Sequence, residues 1–147
     1  MKSVNIQNKK ARFEFHLLDK FVAGIQLSGT EIKSIRLGKV NITDSFCNFR
    51  ENELYITGMQ IDEYKFGSYA NHQPKRDRKL LLNKQELDKL QKKLKDVGLT
   101  IVPLKLFIND KGWAKIEIAL AKGKKLYDKR EDLKKKDIKR DIERAKK

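Results

Sequence analysis

A single cysteine, Cys47, stands in 147 residues, which excludes a disulfide framework and a cysteine-built zinc cluster within one chain. His16 and His72 are the only histidines, and they lack the HExxH spacing of a metalloprotease helix. No window holds 18 consecutive apolar residues, so no bilayer-spanning helix is expected. The opening MKSVNIQNKKARFEF has no apolar run ending in a small-residue cleavage site; no secretory signal is expected, and the chain reads as cytoplasmic. Gly123-Lys124-Lys125 is not a phosphate loop, because the first glycine of that motif would fall on Ile118. Cys47 lies in a strand pattern beside Phe46 and Phe49, which reads as a buried, inert thiol. With no constellation of nucleophile, base or metal ligands, the sequence points away from an enzyme, and neither cofactor nor metal is expected.

Positive charge, by contrast, is plentiful. Lys and Arg total 35 against 20 Asp and Glu, a formal net charge of +15, while 39% of the residues are hydrophobic. That is one domain's length and enough apolar side chain for one core. The surplus cations describe a partner, nucleic acid or an anionic surface, rather than a fold. They concentrate at the end. Residues 122–147 carry 13 Lys and Arg against six Asp and Glu, a net +7 in 26 residues. Leu126, Tyr127, Leu133, Ile138 and Ile142 are the large apolar groups there, too few to offset the entropy of ordering. The reading is a domain over 1–122 and a basic tail over 123–147, disordered when free.

The body reads mainly as strand. β-formers and alternation predict Phe13–Leu18, a turn at Asp19-Lys20, then Phe21–Leu27. Ser45–Arg50 and Glu53–Thr57 flank Glu51-Asn52, a tight hairpin signal. Thr100–Ile108 and Trp113–Ala121 form the clearest pair, and the second puts Trp113, Lys115 and Glu117 on one face. Two helices are expected. One runs from Thr30 to Gly38. The other follows the capping box Asn83-Lys84-Gln85-Glu86, with Leu87, Leu90 and Leu94 on one face and Gly98 as C-terminal cap. Between Tyr64 and Lys79, Arg76-Asp77-Arg78-Lys79 marks a long basic loop. The fold class is mainly β with α+β character: a small antiparallel barrel of the oligonucleotide-binding type with flanking helices.

RNA binding needs cations for phosphates and flat groups for unstacked bases. Lys9, Lys10 and Arg12 precede the aromatic pair Phe13 and Phe15. The helix beginning at Gly29-Thr30-Glu31 offers free backbone N–H groups. Tyr127 punctuates the basic tail, where a ring can stack on a base.

NKKARFEF, FVAGIQLSGTEIKSIRLGKVNITDSF, RDRKLLLNKQEL and PLKLFINDKGWAKIEIALAKGKKLYDKR, followed by the basic tail, resemble the SsrA-binding protein (small protein B) family. The resemblance runs in one register from about Asn8 onward. It implies an RNA-binding partner of transfer-messenger RNA in trans-translation, the rescue of stalled ribosomes. The barrel would bind the tRNA-like domain through Lys9, Lys10, Arg12, Gly29, Glu31, Lys33, Ser34, Lys79, Leu81 and Asn83. The tail would order into a helix on the ribosome and probe the vacant mRNA channel of the small subunit, against its rRNA, with Gly123, Lys124, Tyr127, Asp128, Lys129 and Arg130. It further implies elongation factor Tu in the delivery complex and a monomeric free protein. One departure is Val22, where many relatives carry an acidic residue before AGI. The residues themselves also leave open a generic single-strand-binding module, which charge alone does not separate from the family reading.

Overall fold

A computed structural model describes residues 4–67, 71–96 and 98–124. Nine strands and three helices occur among them: β1 (Asn5–Gln7), α1 (Lys9–Glu14), β2 (Phe15–Ile25), α2 (Gly29–Arg36), β3 (Val40–Asn41), β4 (Phe46–Arg50), β5 (Glu53–Thr57), β6 (Gln60–Ile61), β7 (Arg78–Leu81), α3 (Lys84–Lys93), β8 (Leu99–Ile108) and β9 (Ala114–Gly123). The main sheet runs β1-β8-β4-β5-β7-β2-β9, and β9 pairs back onto β8, so six strands close into an antiparallel ring. The short β3–β6 ribbon stands apart. This is the barrel that the alternation and turn signals predict. Closure removes the exposed edges that an open sheet would carry.

The ring is filled by alternate residues of its strands. Leu54, Ile56, Leu80, Ile101, Leu106, Ile116, Ile118 and Leu120 are buried in one cluster, joined by Ile35 of α2 and Leu90 of α3. A second, smaller cluster lies outside the ring, where Ala11 of α1 covers Val102, Leu104, Ala119 and Ala121. Alanines on both sides let the helix backbone settle close to the β8–β9 ribbon. Cys47 is buried in the main cluster, and burial pushes its thiol pKa far up, so the thiolate that reacts is not formed at neutral pH.

Three expectations are corrected. The strand expected over Phe13–Leu18 starts only at Phe15: Lys9–Glu14 is helix, capped by the Asn8 side chain, which accepts from Ala11 N–H. Asn8 Nδ2 is itself anchored to the carbonyls of Pro103 and Ile42, a contact no local pattern reveals. Asp19-Lys20 is not a turn; β2 runs through it with a bulge between Leu17 and Lys20, and Asp19 is ion-paired to Lys93 of α3. α3 ends at Lys93 with Leu94 as its C-cap, and Gly98, at φ +87°, serves instead to turn the chain into β8. The Asn83–Glu86 capping box and the Glu51-Asn52 hairpin, both residues at positive φ, stand as expected.

Candidate nucleic-acid interface

The candidate site is the outer surface of β9, β2 and β7. In an antiparallel pair, directly opposed residues point to the same side. The register sets Glu117 opposite Val22, Lys115 opposite Gly24, and Gly24 opposite Leu81. Arg12 of α1 reaches Glu117 at 3.9 Å. A continuous surface therefore runs from α1 across Glu117 and Val22 to Lys115, Gly24 and Leu81. Gly24 is the gap in it: a Cβ there would lie 3.4 Å from Leu81 Cβ and 3.7 Å from Lys115 Nζ.

α2 begins where β2 ends, and it is fastened there by buried charge. The Ser28 hydroxyl accepts from Glu31 N–H while Ser28 N–H donates to Glu31 Oε1, closing a capping box. The Glu31 carboxylate is also paired with Arg76 at 2.6 Å and with Arg78. Burial opposes its ionisation, but the hydrogen bonds from Arg76, Ser28 and Arg78 outweigh that and hold its pKa below the ordinary carboxylate value. Arg78 is fully buried and donates as well to the carbonyls of Met59, Arg76, Gln73 and Pro74. Burial lowers its pKa, and Glu31 opposes the shift. His72, also buried, joins Ile61 O through Nε2 and the Thr30 hydroxyl through Nδ1, both at 2.9 Å. Helix, loop and strand thus meet at one satisfied polar centre.

The residues singled out from the sequence fall into two groups. Gly29, Lys79, Leu81 and Asn83 lie together around the β2–β7 junction, where Gln26 N–H donates to Lys79 O at 2.9 Å; Gly29, Leu81 and Asn83 are exposed. Lys9, Lys10 and Arg12 are exposed on α1; Arg12 stands at the Glu117 end of this surface, whereas Lys10 turns to Asp44, between β3 and β4. Lys10 is bonded to Asp44 at 2.9 Å and Lys79 to Glu53 at 2.8 Å, and these hydrogen bonds raise both lysine pKa values. Surface pairs of this kind are weak, so a phosphate can take the place of either carboxylate. Lys33 is exposed and sits over the Tyr64 ring at 5.5 Å. Glu31 and Ser34 are buried, so each acts on the surface by positioning α2. Asn83 caps α3 through Glu86 N–H. Gly123 closes β9 opposite Phe15, and Lys124 N–H donates to Glu14 O at 2.9 Å. Tyr127, Asp128, Lys129 and Arg130 lie outside the described residues.

Sequence reasoning missed Lys115 and Glu117 as members of this surface; the alternation from Trp113 marked their face, but only strand pairing brings it beside Leu81. It also read Arg76-Asp77-Arg78-Lys79 as one basic loop. Arg78 instead opens β7 with its guanidinium inside the molecule. Among the described residues no three His, Cys, Asp or Glu side chains gather as a metal site requires, and no helix is long and apolar enough to cross a membrane.

The family model for the SmpB protein matches residues 5–147. The chain belongs to that family. It is 60% identical to the SsrA-binding protein of Bacteroides thetaiotaomicron over 142 residues, covering 97% of this chain and 95% of the other. It is 60% identical to that of Flavobacterium johnsoniae over 147 residues, covering 100% and 97%. The Salinispora tropica SsrA-binding protein is 51% identical over 98% and 90% of the two chains. Among solved structures, a chain described under "tmRNA-SmpB: a journey to the center of the bacterial ribosome" superposes with a TM-score of 0.70 at 48% identity, over 84% of this chain and 86% of that one. SmpB family membership places the surface described above on a fold shared with a ribosome-associated protein.

Proposed function

We propose that this SmpB family member binds the tRNA-like domain of transfer-messenger RNA and delivers it to stalled ribosomes, without catalysing a reaction itself. The observation that carries the reading is the full-length family match, which includes relatives named for SsrA binding. The geometry agrees with it. A closed barrel offers an outer surface from α1 to the start of α2 on which Arg12, Lys79 and Lys115 flank the apolar Val22, Gly24 and Leu81, suited to a folded RNA read by shape and phosphate position. Lys9, Lys10 and Arg12 would take phosphates at one end, and Lys79, Leu81 and the N-terminus of α2 would meet the RNA at the other. Residues beyond Lys124 would engage the small subunit and its rRNA in the empty mRNA channel. The delivery complex would include elongation factor Tu, and the free protein would be a monomer in the cytoplasm.

A competition titration tests this. Labelled tRNA-like domain is displaced by an elongator tRNA or by a single strand of equal length, at two salt concentrations. Charge-driven affinity falls steeply with salt for all three, so a preference for the tRNA-like domain that persists at high salt supports shape-specific recognition. Equal binding to all three, vanishing together, would reduce the protein to a generic RNA-binding module.

A further inference from the structure

An open trough crosses the outer face of β8 and β4, from the end of α1 to the end of α3. It joins a hollow of about 210 Å³, lined by Glu14, Phe15, Asp44 and Val102, to one of about 450 Å³, lined by Phe49, Leu94 and Leu99. Phe46 and Thr100 line both hollows, so the two are continuous. Strand alternation turns Cys47 into the core and Phe46 outward, where its ring is 46% exposed. A half-wet aromatic with apolar neighbours on either side marks a contact surface. Lys10 also lines the α1 end and is bonded to Asp44 at 2.9 Å, so with Glu14 that end is net negative. Such a trough repels phosphates and suits a peptide that is apolar with a cationic start.

The chain itself supplies that peptide at the right place. β9 ends at Gly123 opposite Phe15, and Lys124 N–H donates to Glu14 O at 2.9 Å, so the polypeptide leaves the barrel at the α1 end of the trough. β9, β8 and β4 are successive in the ring, with Ala121 opposite Thr100 and Ile101 opposite Cys47. From β9 to β4 is two strand spacings, about 10 Å, and three residues of extended chain cover the same distance. The third residue after Lys124 is Tyr127, preceded by Lys125 and Leu126. We propose that Leu126 and Tyr127 dock in this trough on their own barrel, with Tyr127 against the Phe46 ring and Lys125 facing Glu14. Two large apolar side chains roughly offset the entropy of ordering three residues, so the contact is held lightly and yields to a tighter site. Docking is a property of the free protein and stands apart from the RNA reading; only release of the segment into the channel assigned to it above rests on that reading.

Nuclear magnetic resonance of the full-length protein, free of RNA, tests this. Cross-relaxation between the ring protons of Tyr127 and Phe46 is expected, with an intensity unchanged on dilution, as an intramolecular contact requires. Tyr127→Ser abolishes it and shifts the amide signals of Phe46, Asn48, Leu99 and Thr100. The signals of Lys111 and Trp113, at the opposite end of the β8–β9 ribbon, stay in place. Phe46→Ala moves the Tyr127 ring signals to their positions in a short peptide of the same sequence. Should Phe46→Ala fail to fold, Tyr127→Ser still decides, because it lies outside the barrel. Cross-relaxation that disappears on dilution would overturn the proposal in favour of a second copy of the chain. Its absence at every concentration, with unshifted amides in Tyr127→Ser, would overturn docking altogether. Neither result touches the RNA-binding reading, which stands or falls on the competition titration.

Discussion

Replacing Glu31 by glutamine tests whether the buried polar centre holds α2 in place. The substitution keeps the shape of the side chain and removes its charge. Arg78, fully buried, then faces a neutral amide whose N–H₂ group can turn toward its own donors. Breaking a buried pair from one side costs about 3–5 kcal/mol, because a desolvated charge is left behind. The lost pair with Arg76 adds little, since that side chain is 37% exposed and screened. For a domain of this size each kcal/mol moves the midpoint by roughly 2–4 °C, so Glu31→Gln should melt about 6–20 °C below wild type by far-ultraviolet circular dichroism. Replacing both partners by apolar residues, Glu31→Leu with Arg78→Met, should not restore stability. Arg78 also serves the carbonyls of Met59, Arg76, Gln73 and Pro74, which the double variant leaves bare at roughly 1–3 kcal/mol for each one that water fails to reach. The pH dependence carries the same signature. Glu31 titrates below its ordinary 4.5 in the folded chain, so its contribution is complete above that value and lost as pH falls through the folded pKa. Wild type should therefore lose more stability between about pH 5 and 3 than Glu31→Gln does. A Glu31→Gln variant melting within 3 °C of wild type (about 1 kcal/mol), with an unchanged acid limb, would refute the assignment.

Asn83→Ala should lower the melting temperature by only about 2–4 °C, the value of roughly 1 kcal/mol for a lost N-cap, while Asn83→Ser keeps the cap; RNA affinity that falls in the serine variant as well would reveal a contact beyond capping. Cys47 should resist a thiol reagent in the native protein and react at the rate of unfolding in denaturant, and fast native labelling would contradict its burial. Truncation after Lys124 should leave the barrel's melting curve and its affinity for the tRNA-like domain nearly unchanged while abolishing tagging of stalled nascent chains. Loss of most RNA affinity in that truncation would make the tail a phosphate clamp instead.

Much of the barrel was legible because its signals are local. Alternation through Trp113–Ala121, the Glu51-Asn52 turn and the Asn83–Glu86 box each depend on neighbours within a few residues. The missed features depend on distant partners. α1 exists because Asn8 finds the carbonyls of Ile42 and Pro103. β2 continues through Asp19 because its ladder with β9, about 100 positions further on, holds on both sides of a bulge between Leu17 and Lys20. Arg78 looks like one more surface cation until Glu31, 47 positions earlier, is folded against it. The same holds for the candidate RNA surface: its cations were visible as clusters, but the sequence does not state that Lys115 would stand beside Leu81.

The bond from Lys124 N–H to Glu14 O sets a ruler. It joins the last residue of α1 to the first residue after β9, so the cationic helix and the start of the chain beyond β9 are held a fixed backbone length apart. Extended strand advances about 3.4 Å per residue and alternates sides. An insertion of one residue beside Gly123 would turn the next backbone N–H away from Glu14 O, and an insertion of two would restore its direction but displace it by about 7 Å. Spacing at this junction is therefore quantised, with even and odd lengths differing in kind. Gly123 itself leaves room for a Cβ, so the junction tolerates a change of residue far better than a change of count.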